Sequence, residues 1–219
     1  NELQKQQIFQ KDKLALVYDP IIAISKISSQ RNEKLFEHKK FFGSKKVIIS
    51  IGRFTKQKNL LYLINQFEII KKEFKDAKLL MLGDGEQKNN ILKIIKKKNL
   101  NSDIIILGYQ KNIFKYLKFA NCFVLTSLYE DPGFVLIEAA VSAVPILSSN
   151  CKNGPRDFFI NNDNGFQINL NKTNDLFYKY KSFRKSAKHI IENKKINAKK
   201  YSKNFTIYNH YKQLSNILS

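Results

Sequence analysis

The stretch that decides the fold is "KVIISIGRFTKQKNLLYLINQFEIIKKEFKDAKLLMLGDG", residues 46–85. It opens with a continuous apolar run at 46–52 and closes with another at 77–85, and both runs end in glycine turns. Residues 59–74, between the two runs, place their apolar side chains along one stripe of a helix. Strands that are apolar on both faces and alternate with helices form parallel sheets covered on both sides. The stretch therefore predicts a strand–helix–strand unit.

The same alternation continues along the chain and predicts one doubly wound α/β domain with a parallel sheet, Rossmann-like, over residues 46–170. Ahead of it, residues 13–22 predict a short strand that ends at Asp19-Pro20, and residues 25–46 predict a polar helical or linking stretch. Residues 171–219 predict helices with a break near Phe205-Thr206. Inside the domain we expect helices at 86–98, 112–119 and 133–144, and strands at 103–109, 122–127 and 144–149.

The chain is strongly basic, with 39 Lys and Arg against 18 acids and a net charge of +21. Such a charge attracts nucleic acid, anionic lipid or phosphorylated substrates. Only four of the cations are Arg, the residue that favours recognition of bases and phosphates. The lysines, among them the run 96–98, are therefore interpreted as a coat on solvated helix faces. Specific nucleic-acid binding is not expected, whereas attraction to an anionic membrane surface remains open.

Several other classes of protein are not indicated by the sequence. The two cysteines, Cys122 and Cys151, have no metal-ligand spacing and cannot form a disulfide scaffold, so a reducing cytoplasm is expected. The apolar runs are shorter than a membrane span, and no leader pattern opens the chain at Asn1. No Asp-x-Asp occurs, so a metal held on a nucleotide is not expected. The three histidines lie in helical segments and are expected to be solvated: His38, His189 and His210.

Ligands of doubly wound sheets bind at the carboxyl ends of the strands, so the strand-end loops are the candidate site. In the first of them Gly52 allows a sharp turn, and Arg53 and Lys58 flank the start of a helix, which suits a diphosphate. A surface turn with incidental cations is the alternative. Neither a Walker motif nor a dinucleotide fingerprint is present, and Gly83 in "GDG" indicates little beyond a tight turn. The five loops are 52–59, 83–86, 108–110, 127–133 and 149–157.

Two glutamates stand out in "SLYEDPGFVLIEAA", residues 127–140. Asp131 is expected to cap a helix that continues to Val144 and is apolar nearly all round, which marks a buried helix. A carboxylate there, Glu138, must face a partner or a ligand-filled crevice, because burying it unpaired is costly. A core lysine or backbone N–H groups could equally supply that partner.

Glu130 precedes this helix and is expected at the rim of the crevice. Because roughly 8 Å of axial rise separates Glu138 from the start of the helix, the two carboxylates do not suit an acid/base pair at one glycosidic bond. They suit the two ends of one long ligand whose middle binds at the helix start. In the last loop, "NGPRD" (153–157), Gly154 and Arg156 fit a second anion cradle and a capped turn equally well.

In this order, the motifs resemble the C-terminal, donor-binding domain of retaining GT-B glycosyltransferases of family 4. The resemblance covers roughly residues 47–170, and Asp157 departs from it by standing where family members usually carry Glu. The "CKNGPRD" stretch also replaces a more common Gly-Gly-x-x-Glu pattern. The motifs are "SIGRFTKQKN", "LMLGDGE", "ILGYQ", "LTSLYEDPGFVLIEAA" with its Glu-x7-Glu spacing, and "GPRDF".

The resemblance implies a nucleotide-sugar donor as substrate, with a UDP-sugar favoured and with no cofactor or metal. Arg53 and Lys58 would hold the diphosphate and stabilise its charge as it leaves, and Glu138 would bind the ribose hydroxyls. Glu130 would address the donor sugar and complete the catalytic set. The other positions that it implies for donor binding are Gly52, Gly83, Tyr109, Gly133, Phe134, Val135 and Gly154.

The flanks also resemble parts of such enzymes. Residues 1–45, with "LALVYDPI", resemble the link from a preceding domain and a remnant of it, and "YNHYKQLSNIL" resembles the tail that crosses back. We therefore expect the chain to be the donor-binding half of a larger enzyme and to be inactive alone. The acceptor, a glycan or a lipid-linked molecule, would bind a missing N-terminal domain. We expect the chain in the cytoplasm, either free or peripheral on the cytoplasmic membrane. The competing hypotheses are a non-catalytic nucleotide-sugar-binding module or partner subunit, and a basic nucleic-acid-binding protein.

Overall fold

The computed structural model describes residues 15–34, 39–43, 46–159 and 163–218. A parallel sheet occupies the centre of the fold. Its strands are β1 (Lys46–Ile51), β2 (Ala77–Leu82), β3 (Ile104–Ile106), β4 (Cys122–Leu125), β5 (Ile146–Ser149) and β6 (Phe166–Ile168). Their order is β3-β2-β1-β4-β5-β6, and every neighbouring pair is parallel. The expected doubly wound parallel sheet is thus confirmed.

Helices follow the strands and cover both faces of the sheet. The α-helices of the described residues are α1 (Ile24–Asn32), α2 (Lys39–Phe42), α3 (Leu60–Glu73), α4 (Lys88–Lys97), α5 (Phe114–Leu117), α6 (Phe134–Val141), α7 (Pro155–Phe158), α8 (Asp175–Lys185), α9 (Lys188–Ser202) and α10 (Ile207–Leu218).

The side chains of β1 show why its sequence is apolar without interruption. Ile48 packs into a core with α3, α4 and α8, whereas Val47 and Ile49 pack into a second core with α5, α6 and α9. Successive side chains of a strand point to opposite faces, so a sheet covered on both sides needs apolar residues at every position. The apolar run therefore identified a central strand correctly.

Three expected elements need correction. Residues 15–21 form no strand, and only Ile22 makes an isolated bridge, to Thr206; residues 13–14 lie outside the described part. The third strand and the helix expected at 112–119 are shorter than predicted. The sequence interpretation also missed α7 and β6, because runs of three or four residues carry too little periodicity.

The helical tail breaks where expected, since a short 3-10 helix, Lys203–Phe205, separates α9 from α10. No residue of α10 is buried, and its Ile207, Tyr211 and Leu214 form an exposed apolar stripe. In the described parts of the chain, no helix is both long and apolar enough to cross a bilayer.

The histidines behave differently from one another. His189 is exposed, as expected, and His38 lies outside the described residues. His210 is half-buried, and its Nδ1 lies 2.8 Å from the carbonyl oxygen of Tyr18. The expectation of a solvated side chain was therefore wrong for His210, which ties α10 to the segment ahead of α1.

Candidate functional site

The candidate site lies where the order of the sheet reverses, between β1 and β4. Helix α3 follows β1 on one face of the sheet, and helix α6 follows β4 on the other. The loops after these two neighbouring strands diverge at their carboxyl ends and leave a crevice, which is the usual ligand position in this architecture. The loops 52–59 and 126–133 form its two sides.

One part of the crevice, the first cavity, has a volume of about 370 Å³ and lies beside α6. Six of the predicted donor-binding residues line it, together with side chains that the sequence interpretation did not single out. The predicted ones are Gly52, Arg53, Gly83, Tyr109, Val135 and Glu138; the others include Asp84, Gln110 and Lys111.

The other part, the second cavity, has a volume of about 480 Å³ and lies at the start of α6. It shares Gly52, Arg53 and Val135 with the first cavity, so the two form one continuous crevice. The predicted residues that line it are Gly52, Arg53, Lys58, Glu130, Gly133, Phe134 and Val135, and the residues not predicted are Gln57, Tyr129 and Asp131.

Glycines allow the loops around the first cavity to touch through their backbones. Gly83 has a φ of +140°, and a Cβ on it would lie 1.9 Å from the carbonyl oxygen of Gly52. The N–H of Gly52 donates to Leu82 at 3.0 Å, and the N–H of Gly83 donates to Gly108 at 2.7 Å. Only a residue without a side chain allows this approach. The loops after β1, β2 and β3 are therefore joined into one wall.

Lys58 and Glu130 form a tight ion pair in the second cavity. The Lys58 ammonium donates to both carboxylate oxygens of Glu130, at 2.6 and 2.7 Å. The hydroxyl of Ser127 donates to the same carboxylate, and the hydroxyl of Ser149 donates to the carbonyl of Ser127 at 2.7 Å. The sequence interpretation assigned the two charges to different parts of a ligand and did not anticipate their pairing. Ser127 is the residue that directs Glu130, and no sequence signal identified it.

Arg53 differs from Lys58, because it remains available. Its side chain is exposed on the shared wall of the two cavities and makes no ion pair with a described residue. A guanidinium presents several donors in a planar fork that suits phosphate oxygens. Arg53 is thus placed to meet an anion that spans both cavities.

The N-terminal cap of helix α6 lies two residues later than the sequence suggested, and the helix ends at Val141 instead of Val144. Phe134 is its first residue and Gly133, with a φ of +80°, precedes it, so the expected cap at Asp131 is wrong. The reason lies in distant contacts: Glu130 is bound to Lys58, and Gly154 packs against the carbonyl oxygen of Pro132, where a Cβ would lie at 1.8 Å. The N–H groups of Phe134 and Val135 have no backbone partner among the described residues, and both residues line the second cavity.

Glu138 is half-buried, and its carboxylate has no hydrogen-bond or ion-pair partner among the described residues. Within this part of the chain, the alternative of a core lysine or a backbone partner is therefore not observed. Burial raises the pKa of Glu138 to about 7. A carboxyl group of this kind lacks polar partners from the protein and faces the first cavity, where a ligand can supply them.

The last loop supports the site from behind. Gly154 lines neither cavity and instead packs against Pro132, while the Arg156 side chain is exposed. The backbone of Gly154 thus positions the segment ahead of α6, and a direct contact with a donor stays a prediction. The described residues contain no group of three or more His, Cys, Asp or Glu side chains that could hold a metal ion.

Fold and crevice together define a doubly wound α/β domain with a crevice where the strand order reverses. A family model described as "Glycosyl transferases group 1" matches residues 31–207. The chain belongs to this family, the group 1 glycosyl transferases.

Relatives of known sequence agree with this assignment. The glycosyltransferase MJ1059 of Methanocaldococcus jannaschii is 41% identical over 138 residues, which are 63% of this chain and 34% of that protein. The poly(ribitol-phosphate) alpha-N-acetylglucosaminyltransferase of Staphylococcus aureus is 33% identical over 143 residues, 65% of this chain and 29% of that one. The chain therefore spans about a third of the length of the curated relatives it matches.

Solved structures show the same architecture. A variant of S. aureus TarM, in complex with fondaparinux, alpha-GlcNAc-glycerol and UDP, has a TM-score of 0.71 and 27% identity, and the match covers 80% of this chain and 36% of that one. Anabaena HepE in complex with UDP and glucose has a TM-score of 0.74 at 16% identity, covering 98% and 59%. The second comparison shows the fold alone.

Proposed function

We propose that this domain binds a nucleotide-diphosphate sugar and forms the C-terminal, donor-binding half of a retaining GT-B glycosyltransferase of family 4. One observation carries the proposal: the continuous crevice presents the unpartnered Glu138 at one end and Glu130 at the other. The exposed Arg53 and the first turn of α6 lie between them. The order of these groups along the crevice matches a ligand with a hydroxylated sugar at each end and an anion in the middle.

The nucleoside occupies the first cavity in this proposal. The Glu138 carboxylate accepts hydrogen bonds from ribose hydroxyls, which act as the hydrogen-bond partners that no described residue provides. The ring of Tyr109, 79% exposed, borders the base. A UDP-sugar is the favoured donor, and the UDP in the TarM complex supports that choice.

The diphosphate occupies the junction of the two cavities. There it meets Arg53 and the free N–H groups at the start of α6, both of which favour anions. Lys58 lies beside the same junction and shares its ammonium between Glu130 and a phosphate oxygen. As the bond from the diphosphate to the sugar breaks, Arg53 and Lys58 stabilise the charge that develops on the leaving group. The scheme needs no metal or cofactor.

The sugar of the donor reaches the second cavity, where Glu130 and the backbone of Gly133 and Phe134 hold its hydroxyls. Transfer proceeds with retention, and the acceptor is a glycan or lipid-linked glycan bound by a separate, N-terminal domain. Relatives whose names include poly(ribitol-phosphate) and diphospho-undecaprenol support an acceptor of this kind. In this proposal the enzyme works in the cytoplasm, at or near the membrane.

Calorimetric titration with UDP, GDP and ADP tests the donor site. We expect binding of UDP to weaken at least tenfold in Arg53→Ala and in Glu138→Ala. Lys97→Ala, which removes one exposed cation from α4, is the matched control and leaves the affinity unchanged. Failure of all three nucleotides to bind, together with tight salt-sensitive binding of DNA or RNA, would refute the proposal in favour of a nucleic-acid-binding protein.

A transfer assay separates the enzyme from a non-catalytic module. The protein that contains this domain together with an N-terminal domain should transfer sugar to an acceptor, and Glu130→Gln should abolish the transfer while UDP binding persists. The 219 residues alone should bind the donor without turnover. Donor binding without transfer by the longer protein would favour the module.

A further inference from the structure

A third cavity, outside the proposed donor site, lies between α1, the end of α6 and the junction of α9 with α10. Its volume is about 410 Å³, and we refer to it as the α1 cavity. Val141 of α6 lines it, whereas Val135 of the same helix lines the donor crevice. Glu138, which also lines the donor crevice, is three positions from Val141, so the linings of the two sites are separated by roughly 4.5 Å along the helix axis.

The α1 cavity is bordered by cations from four different segments. Arg31 lies in the last turn of α1, Lys118 follows α5, Lys199 lies in α9 and Lys203 starts the 3-10 helix. None of the four forms an ion pair with a described residue, and none of the described residues that line the cavity is acidic. The four cations therefore create a positive potential in a concave site.

The nearest acid in the sequence does not neutralise this cluster. Glu33 follows α1 but pairs with Lys115, at 3.8 Å, and neither residue lines the cavity. The potential of the four cations is therefore left for a ligand to neutralise.

The floor of the same cavity is apolar. Ile24, Ile27 and Val141 line it. Two of the neighbouring hydroxyls are already engaged, because Ser202 donates to the carbonyl of Lys199 and Thr206 donates to the carbonyl of Lys203, both at 2.8 Å. Polar recognition of a ligand would thus come from the charged rim together with Ser28 and Asn32, and the isoleucine and valine side chains would contact apolar groups.

We propose that the α1 cavity binds an amphiphilic phosphate ester, with its phosphate held by the cations and its apolar part on the isoleucine and valine floor. A small inorganic anion would leave the apolar floor in contact with water, and a neutral apolar ligand would leave the cations without a counter-charge. At about 30 Å³ for each water-sized group, the cavity accommodates roughly a dozen such groups. This suits a phosphate head with short stretches of acyl chain.

The first test is direct binding of dihexanoyl phosphatidic acid, a soluble phosphate ester with two short chains, to the protein. Arg31→Gln with Lys203→Gln should weaken binding at least tenfold. The matched control is Lys96→Gln with Lys97→Gln, which removes the same charge from a convex helix face. The control should change the affinity less than twofold. Equal weakening by both pairs, or no binding by the unchanged protein, overturns the proposal.

A second variant separates the floor from the rim. Ile27→Ser should weaken binding of dihexanoyl phosphatidic acid but leave glycerol 3-phosphate binding as it was. An equal effect on both probes contradicts the amphiphilic site. Sedimentation with phosphatidylglycerol-containing vesicles then distinguishes the source of the ligand. A vesicle affinity that falls in the Arg31/Lys203 pair supports a membrane lipid, and an unchanged one supports a soluble ester.

The inference does not depend on the proposed donor site. UDP titrations of the same variants should match the unchanged protein, because none of the altered residues lines the donor crevice. Loss of lipid binding with intact UDP binding therefore assigns the effect to the α1 cavity. Loss of both in the Arg31/Lys203 pair would instead show that the two sites are not independent, and would overturn the separate site.

Discussion

The ammonium of Lys58 lies within 2.7 Å of both carboxylate oxygens of Glu130, and the two side chains are only 12% and 3% exposed. The pair joins the loop after β1 to the loop after β4 across the centre of the sheet. A phosphate that uses Lys58 must therefore share it with Glu130, or displace a carboxylate that Ser127 also holds.

Removal of one partner of this pair should destabilise the fold. Lys58→Met leaves Glu130 as a buried charge without a counter-ion, and we expect a loss of about 3 kcal/mol in the free energy of unfolding. Lys58→Met combined with Glu130→Gln should recover most of that loss, because the buried charge is gone. Urea denaturation measures the free energy of unfolding of the unchanged protein, the single variant and the double variant.

The exposed pair of Lys88 with Asp84 is the control for this experiment. Lys88→Met should leave the urea midpoint almost unchanged, since exposed ion pairs contribute little. A Lys58→Met protein as stable as the original, or a double variant no better than Lys58→Met, would contradict a stabilising buried pair.

The raised pKa of Glu138 predicts a pH-dependent stability. The pKa rises from 4.5 in the unfolded chain to about 7 in the folded protein, so between these values the folded state binds more protons. The contribution of Glu138 to the free energy of unfolding therefore declines as pH increases through this window, by about 3 kcal/mol in total. Urea denaturation from pH 5 to pH 8 should show this decline relative to Glu138→Gln, which shares every other titrating group. If the difference in the free energy of unfolding between the two proteins does not change with pH, the raised pKa of Glu138 is contradicted.

Nucleotide binding should release a proton from Glu138. Hydrogen bonds donated by ribose hydroxyls favour the ionised carboxylate and so lower its pKa. Calorimetry of UDP at pH 6.5, in buffers with different ionisation enthalpies, should therefore show net proton release. The release should vanish in Glu138→Gln; if it persists there, another group is responsible and the ribose contact is not supported.

Two glycines with positive φ provide a comparison of backbone contact with backbone strain. Gly83→Ala places a Cβ 1.9 Å from the oxygen of Gly52 and should cost at least about 3 kcal/mol while weakening UDP binding. Gly108 has a φ of +68° but nothing within 4 Å of its would-be Cβ, so Gly108→Ala should cost only about 1 kcal/mol. Urea denaturation compares the two variants, and similar losses would mean that the Gly52 contact contributes little.

The sequence predicted the parallel sheet because its central strands are buried on both faces. Val47, Ile48 and Ile49 point alternately into two cores, and a run of apolar residues records that directly. The same reasoning placed Gly52, Arg53, Glu130 and Glu138 along one crevice, because parallel strands bring their carboxyl ends to one edge. Features that follow from local periodicity and from the direction of strands were thus accessible without a structure.

Features that depend on contacts between distant segments were not accessible. The pairing of Lys58 with Glu130 joins residues 72 positions apart, and no local pattern indicates it. The late start of α6 depends on Gly154, which packs on Pro132 from another loop. Within the described part of the strand expected at 13–22, residues 15–22, the prediction failed for the opposite reason, since an apolar segment without a neighbouring strand forms no ladder beyond the bridge at Ile22.

The glycine contacts among the loops after β1, β2 and β3 also limit which changes in sequence the crevice can accept without losing its backbone structure. The N–H of Gly52 donates a hydrogen bond to the carbonyl oxygen of Leu82, and the N–H of Gly83 donates one to the carbonyl oxygen of Gly108. Lengthening any one of these loops would therefore break a backbone hydrogen bond to the neighbouring loop. A change in nucleotide preference is therefore best sought among side chains that project from the intact backbone, such as Tyr109, Gln110 and Val135. A mutant library for altered donors should vary these positions and leave both loop lengths and glycines untouched.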